Sequence, residues 1–409
     1  MRNQWEFFPS GKIVFGHGAI YKLGSVLTKL NARNVFLITD KGIVQSGILR
    51  LVMNILEKDN FHVSVFDDTT PEPPISVALQ CYEIAKSDTP ADAIIGLGGG
   101  SSIDLAKIVA LLMAHGGRPQ DYFGENAIPS PIAPLIAIPT TAGTGSEVTS
   151  VAVVTDTDNN MKVGISNNYL RPAVALLDPE LTLQLPPYVT ACSGIDALSH
   201  AIEAYLAKDY KYIQAEGDIL FQGSAPISDT LALRAIELIS GNLITAVQQG
   251  SNVEARSNML LGSLLAGLAF SNAGTAAAHA LAYPVGGLTK SPHGEVTGLL
   301  LPYVVEFNAR TTGDKMDRLA QALHIRPLGA HLSSTETIQA VVSRLIELLR
   351  QTGLPTHLSS IGISREQLPE IAAKAIQIER LIRNNPRTPT VEGFLQLLEH
   401  AYSFEETIS

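Results

Sequence analysis

Asp196 and His200 stand four residues apart in the segment GIDALSHAIEAY. On a helix that spacing puts both side chains on one face, a turn from each other, which suits two ligands of a single ion. Downstream, GTAAAHALAYPVGGLTKSPHGE brings His279 and, just after a proline, His293. One carboxylate and three imidazoles suit Fe(II), Zn(II) or a related divalent ion and leave room for an oxygen ligand such as water. The same charge and hardness argue against copper(I) and iron–sulfur clusters. A plainer reading stands beside this one: a histidine in an apolar segment is also a hydrogen-bonded packing residue, and an aspartate can stabilise a helix end. Helical spacing alone does not choose between them.

A second kind of chemistry is suggested by glycines. The stretch DAIIGLGGGSSIDLAK, residues 92–107, reads as a strand, the triplet Gly98, Gly99 and Gly100, then Ser101, Ser102 and a helix. Without β-carbons the glycines permit a tight turn and close approach of backbone to phosphate, and the amides of the following helix attract negative charge. A pyrophosphate fits there, although the spacing is not GxGxxG and a plain strand-to-helix turn would use the same residues. A further loop of small residues, TTAGTGSE at 140–147, follows the apolar run LIAIP. Its Thr140, Thr141 and Thr144 hydroxyls suit a phosphate, ribose or nicotinamide amide. Asp40, at the end of an early strand, suits a ribose diol and would repel the extra phosphate of NADP, which favours NAD; helix capping is the alternative. Lys162, on the returning strand of an expected hairpin with its turn at Asp158–Asn160, faces either cofactor or solvent.

These residues need elements to position them. Strand-like runs at 34–39, 62–66 and 92–97 alternate with helical runs at 18–30, 48–57 and 76–86 and after Ser101. That alternation implies a mostly parallel sheet covered by helices on both faces. From about Pro187 onward helical periodicity dominates, with stretches at 193–206, 227–239, 253–270, 315–323, 335–351 and 368–380. We therefore expect an α/β dinucleotide-binding domain with a parallel sheet at 1–185 and an all-α metal-binding and substrate domain at 186–409.

Composition agrees. A chain of 409 residues exceeds what one core usually supports. A net charge of −10 and the lack of a basic stripe exclude a nucleic-acid surface. Cys81 and Cys192 form neither a disulfide framework nor a thiolate metal site, so a reducing compartment is expected. The opening MRNQWEFFPSGK carries no apolar signal segment, and apolar runs are broken by Gly, Pro or charge. No membrane partner and a cytoplasmic location are expected. His17, His62, His115, His324, His331, His357 and His400 read as surface, capping or packing groups.

At this point the sequence resembles the iron-containing, or group III, alcohol dehydrogenase family along nearly its whole length. The resemblance is carried by FGHGA at 15–19, GGGSSIDLAK at 98–107, TTAGTGSE at 140–147, DPELT at 178–182 and the two histidine segments. It implies a dehydroquinate synthase-like architecture with cofactor and metal meeting in the cleft between the domains. It also implies metal ligands at Asp196, His200, His279 and His293, and a pyrophosphate loop at Gly98, Gly99, Gly100 and Ser101. A second cofactor loop at Thr140, Thr141 and Thr144, a ribose-selecting acid at Asp40, and a homodimer or larger homo-oligomer complete the implied set. Two features depart from the pattern. Many alcohol-active members have HxxxHP where this chain has HALAYP, so Tyr283 replaces a histidine discussed as a proton-transfer group. The connection from Tyr205 to Pro226 is longer than in simple members.

The expected reaction is reversible hydride transfer between a small primary or secondary alcohol and NAD, assisted by one divalent metal, Fe(II) or alternatively Zn(II). Tyr283 would relay a proton or contact substrate. The long connection and the YP pair also resemble the hydroxyacid-oxoacid transhydrogenase branch, which is the alternative enzyme reading. Dehydroquinate synthase-type chemistry is disfavoured by the loop motifs, and a non-catalytic cofactor-binding protein by the four-residue ligand set.

Overall fold

The computed structural model describes residues 1–86, 90–157, 161–214, 217–325 and 333–403; the hairpin turn at Asp158–Asn160 and His331 lie outside them. The chain divides into two compact units, Phe8–Gln184 and Leu185–Ser409, with Met1–Phe7 belonging to the second.

The first unit holds strands β1 (Lys12–Phe15), β2 (Asn34–Ile38), β3 (His62–Phe66), β4 (Ala93–Gly98), β5 (Gly124–Glu125), β6 (Leu135–Pro139), β7 (Val151–Asp156), β8 (Met161–Ser166) and β9 (Val174–Leu177). Its helices are α1 (Leu23–Lys29), α2 (Lys41–Gln45), α3 (Ile48–Lys58), α4 (Ile75–Ala85) and α5 (Gly100–His115). Six strands form one sheet in the order β1-β9-β6-β4-β2-β3, all neighbours parallel. The period-two alternation of strand side chains explains why the core is double. Val35 and Leu37 of β2 pack on one face with Leu23, Leu27, Val52 and Leu56 of α1 and α3. Phe36 and Ile38 pack on the other with residues of α4 and α5. Buried on both faces, β2 reads as the uninterrupted run NVFLI. A smaller sheet, β5-β8-β7, carries the antiparallel β7/β8 pair, in which Thr155 faces Lys162.

The second unit holds α6 (Pro187–Leu206), α7 (Pro226–Gln248), α8 (Val253–Ala273), α9 (Ala277–Thr289), α10 (His293–Asn308), α11 (Lys315–Ala322), α12 (Ser334–Gln351), α13 (Leu368–Ala375), α14 (Glu379–Asn384) and α15 (Val391–Tyr402). Helix α6 is central: its residues are buried almost throughout from Thr190 onward, and α7, α8 and α10 pack around it. Helix α7 is apolar and long enough by composition to cross a bilayer, and half of that stretch is buried within the unit. The first seven residues tie down the long 205–226 connection. Arg2 N donates to Lys211 O (3.0 Å), the Trp5 ring meets Tyr210 edge-on, and Glu6 N donates to Gln222 Oε1 (2.8 Å).

Candidate metal centre and cofactor loops

Asp196 and His200 sit in the middle of α6, His279 in the first turn of α9 and His293 at the first position of α10, directly after Pro292. Two glycines allow this meeting. An added β-carbon at Gly294 would stand 2.2 Å from the Cys192 carbonyl oxygen and 2.8 Å from Asp196 Cβ. At Gly298, one turn on, it would stand 2.7 Å from the Ile195 side chain. Helix α10 therefore lies directly on the backbone of α6, and His293 is brought beside Asp196. Thr297, on the same face of α10, donates to Asp196 Oδ1 at 2.9 Å.

Ligand atoms of Asp196, His279 and His293 all lie within 4.8 Å of one another. His293 Nε2 is 4.0 Å from Asp196 Oδ1. His200 adjoins this trio, with Nδ1 3.8 Å from Asp196 Oδ2 and its ring 4.6 Å from that of His279, while Phe270 stacks on it at 4.2 Å. Ligands each about 2.1 Å from one ion stand roughly 3–4 Å apart, so the spacing of Asp196 and His293 suits a shared ion. The fit is tested by the hydrogen bonds. His279 Nδ1 is bonded to Glu203, but its buried Nε2 has no hydrogen-bond partner among the described residues. A buried polar nitrogen without a partner is costly, and a divalent ion would satisfy it. Burial pushes the Asp196 carboxyl upward, but the facing imidazoles of His200, His293 and His279 and the Thr297 hydroxyl outweigh it and hold the group below the ordinary carboxylate range. Tyr283, half-buried on α9, has its ring centroid 6.0 Å from that of His293.

The glycine loop and the TTAGTGSE loop follow β4 and β6, which are neighbours in the sheet. A β-carbon at Gly100 would stand 2.7 Å from Thr144 Cγ2, and one at Gly99 would stand 3.5 Å from Thr141. Thr140 N donates to Gly98 O (3.0 Å). Gly98 has φ +145°, a conformation open chiefly to glycine. Asp40 lies against the turn, with Oδ2 accepting from Ser102 Oγ at 3.2 Å. Its Oδ1 accepts from Gly42 N and Ile43 N, so it caps α2 as well. Ser101 Oγ accepts from Glu72 N at 3.2 Å, and Lys162 is ion-paired with the Glu72 carboxylate. Lys162 is thus tied to the residue that touches the glycine loop.

Several groups of consequence were not singled out from the sequence. Under the second loop, Lys107 is fully buried and donates to Thr149 O (3.1 Å), Thr149 Oγ1 (2.9 Å) and Val151 O (2.7 Å). Asp104 accepts from Ser146 Oγ (2.5 Å) and Val153 N (3.0 Å). Burial pulls the Lys107 ammonium down to about 8 and pushes the Glu147 carboxyl up to about 7. Asp104 and Lys107 fall inside the quoted GGGSSIDLAK motif, where polar residues on the buried side of an apolar helix are the signal. Glu203 and Thr297, bonded to His279 and Asp196, are two more such groups. Among the other histidines, His17 and His400 lie 3.8 Å and 3.0 Å from Glu180 and Glu306, and His115 and His324 hydrogen-bond to the carbonyls of Ser130 and Glu237.

The chain matches two family descriptions that together span most of its length, "Iron-containing alcohol dehydrogenase" over residues 9–179 and "Fe-containing alcohol dehydrogenase family, C-terminal" over residues 190–402. It is 38% identical to long-chain-alcohol dehydrogenase 1 of Geobacillus thermodenitrificans, covering 96% of this chain and 95% of the relative. It is 33% identical to the NAD-dependent methanol dehydrogenase of Bacillus methanolicus, covering 97% and 99% respectively. The crystal structure of a 1,3-propanediol oxidoreductase superposes with a TM-score of 0.90 at 31% identity, covering 98% of this chain and all of that one. With the parallel sheet, the helical unit and the carboxylate–imidazole cluster in place, this chain belongs to the iron-containing alcohol dehydrogenase family.

Proposed function

We propose that this chain catalyses reversible oxidation of a small primary or secondary alcohol by NAD, with one divalent ion, Fe(II) or Zn(II), held by Asp196, His279, His293 and the adjoining His200. As a member of its family the chain is an NAD-dependent alcohol dehydrogenase; the substrate class and the residue roles are our reading. The observation that carries the metal assignment is the unpartnered, buried Nε2 of His279 within a cluster that also contains Asp196 and His293.

The ion supplies positive charge that acidifies an alcohol and polarises a carbonyl, and nicotinamide supplies the hydride acceptor. The chain's own residues prepare for this. Thr297 donates to Asp196 and favours its ionised, ligating form. Phe270 fixes the His200 ring by stacking on it. Tyr283 has a phenol that can donate or accept a hydrogen bond, and its place beside His293 makes it the candidate to move a proton or contact substrate. In the α/β unit, Gly98, Gly99, Gly100 and Ser101 would receive the pyrophosphate, Thr140, Thr141 and Thr144 the remainder of the dinucleotide, and Asp40 a ribose hydroxyl. Lys162, ion-paired with Glu72, would stand beside the loop through that residue. We further propose a homodimer or larger homo-oligomer, checked by light scattering.

The test is a panel of simple alcohols, diols and hydroxy acids with protein loaded anaerobically with Fe(II) or Zn(II), read as absorbance of reduced cofactor. A metal-dependent rise with alcohols is expected. No change with metal and NAD both shown to be bound would sink the reading, and turnover requiring a second oxo acid would favour transhydrogenation.

A further inference from the structure

Glu203 lies one turn beyond His200 on α6 and is buried, with 4% of its surface exposed. A buried carboxylate needs donors, and this one has three. Its Oε1 accepts from Ala278 N at 2.6 Å, and Oε2 accepts from Ala276 N at 3.1 Å and from His279 Nδ1 at 2.5 Å. Helix α9 has no side-chain cap of its own, since Ala276 stands at its N-cap position. One side chain from α6 therefore terminates α9 and grips the first histidine of that helix.

The grip has a chemical consequence. An ionised carboxylate only accepts, so the shared proton belongs to the imidazole and sits on Nδ1. In a neutral ring the other nitrogen then presents its lone pair, and Nε2 is the buried atom left without a hydrogen-bond partner. The bond also fixes the rotation of the ring about its χ angles. We propose that Glu203 is a positioning residue that sets the tautomer and orientation of His279 and thereby the metal affinity of the centre. The proposal rests on the reading of Asp196, His279 and His293 as metal ligands, and its test is arranged so that the two can fail separately.

Metal-free protein labelled with 15N in its histidine rings is examined by NMR, with the His279 signals assigned by their absence in His279→Gln. Wild type should show the Nδ1–H tautomer at His279; an Nε2–H tautomer there would overturn the proposal without any variant at Glu203. Glu203→Gln keeps the shape and an acceptor oxygen but removes the charge, and its His279 should become a mixture of tautomers. Zn2+ affinity, measured alone by competition with a chromophoric chelator, should fall ten- to a hundred-fold in Glu203→Gln and further in His279→Gln. Unchanged affinity in Glu203→Gln would overturn the proposal while leaving the ligand set standing. Weakened affinity with an unaltered His279 spectrum would also overturn it, by placing the effect in the helix cap. If wild type binds Zn2+ no better than His279→Gln, the ligand reading fails instead, and the tautomer measurement still decides the role of Glu203.

Discussion

Gly294 faces the backbone of Cys192 so closely that a β-carbon there would stand 2.2 Å from the Cys192 carbonyl oxygen. Neither atom can rotate away, because both helices are anchored by their own hydrogen bonds. Gly294→Ala should therefore separate α10 from α6, displacing His293 and Thr297 from Asp196. We expect a loss of roughly 1–3 kcal/mol in urea unfolding, as for overpacked cores, together with weaker metal binding. Gly286→Ala on α9 is the control: nothing lies within 4 Å of its added carbon. There the intrinsic preference of a helix for alanine should leave stability equal or raised by up to about 1 kcal/mol. Equal effects at the two glycines would contradict the close crossing.

Removal of the ion should be visible as stability. An ion that binds only the folded chain stabilises it by about 2.7 kcal/mol at a hundredfold excess over its dissociation constant. Dialysis against a strong chelator should lower Tm and abolish NAD reduction, and adding back Fe(II) or Zn(II) should restore both. The Asp196→Ala variant should show the lower Tm from the start and no response to metal. A Tm indifferent to chelator and to metal in the wild type would exclude a resident ion at this centre.

The cap at Asp40 and the cofactor selection proposed for it can be separated by substitution. Asp40 caps α2 through Oδ1, and its charge sits beside the glycine turn. Asp40→Asn keeps a capping oxygen and removes the charge, so Tm should hold while the ratio of kcat/KM with NADP to that with NAD rises. Asp40→Gly should raise the same ratio and cost a few tenths of a kcal/mol in stability, since glycine is a tolerated cap. An unaltered cofactor ratio in both variants would remove Asp40 from cofactor selection.

Glu147 imposes a pH dependence of predictable sign. Its carboxyl is buried, Oε1 has no hydrogen-bond partner among the described residues, and burial raises it from 4.5 to about 7. Between those values the folded chain holds a proton that the unfolded chain has released. Folding stability carried by this group is present below pH 4.5 and is lost as pH rises through about 7. Glu147→Gln should therefore flatten that decline and, at pH 8, unfold at higher urea concentration than wild type. A variant less stable than wild type at pH 8 would show that the ionised carboxylate is compensated by the positive charge of Lys107.

Much of the local framework was legible from the chain. The run NVFLI had to be a strand buried on both sides, and the spacing of Asp196 and His200 placed them on one helical face whatever α6 packed against. The glycine triplet ahead of a helix marked the tight turn that joins β4 to α5. Each conclusion follows from backbone geometry that repeats over two or four residues and so can be read over a short window.

Only tertiary packing could decide what those features meet. Asp196 alone could have been a helix-end aspartate; it becomes part of a cluster because Gly294 and Gly298 let α10 lie on α6. Glu203 shares a helix with Asp196 and His200 in plain view, but its work depends on where the N-terminus of α9 lands, 73 residues away in the chain. Asp40 is both cap and neighbour of the glycine turn because β2 and β4 are adjacent in the sheet. The sequence by itself determined which elements form and which side chains share a face, since those are local periodicities. Convergence of distant groups depends on close contacts between elements, and those are settled only when the whole core is packed.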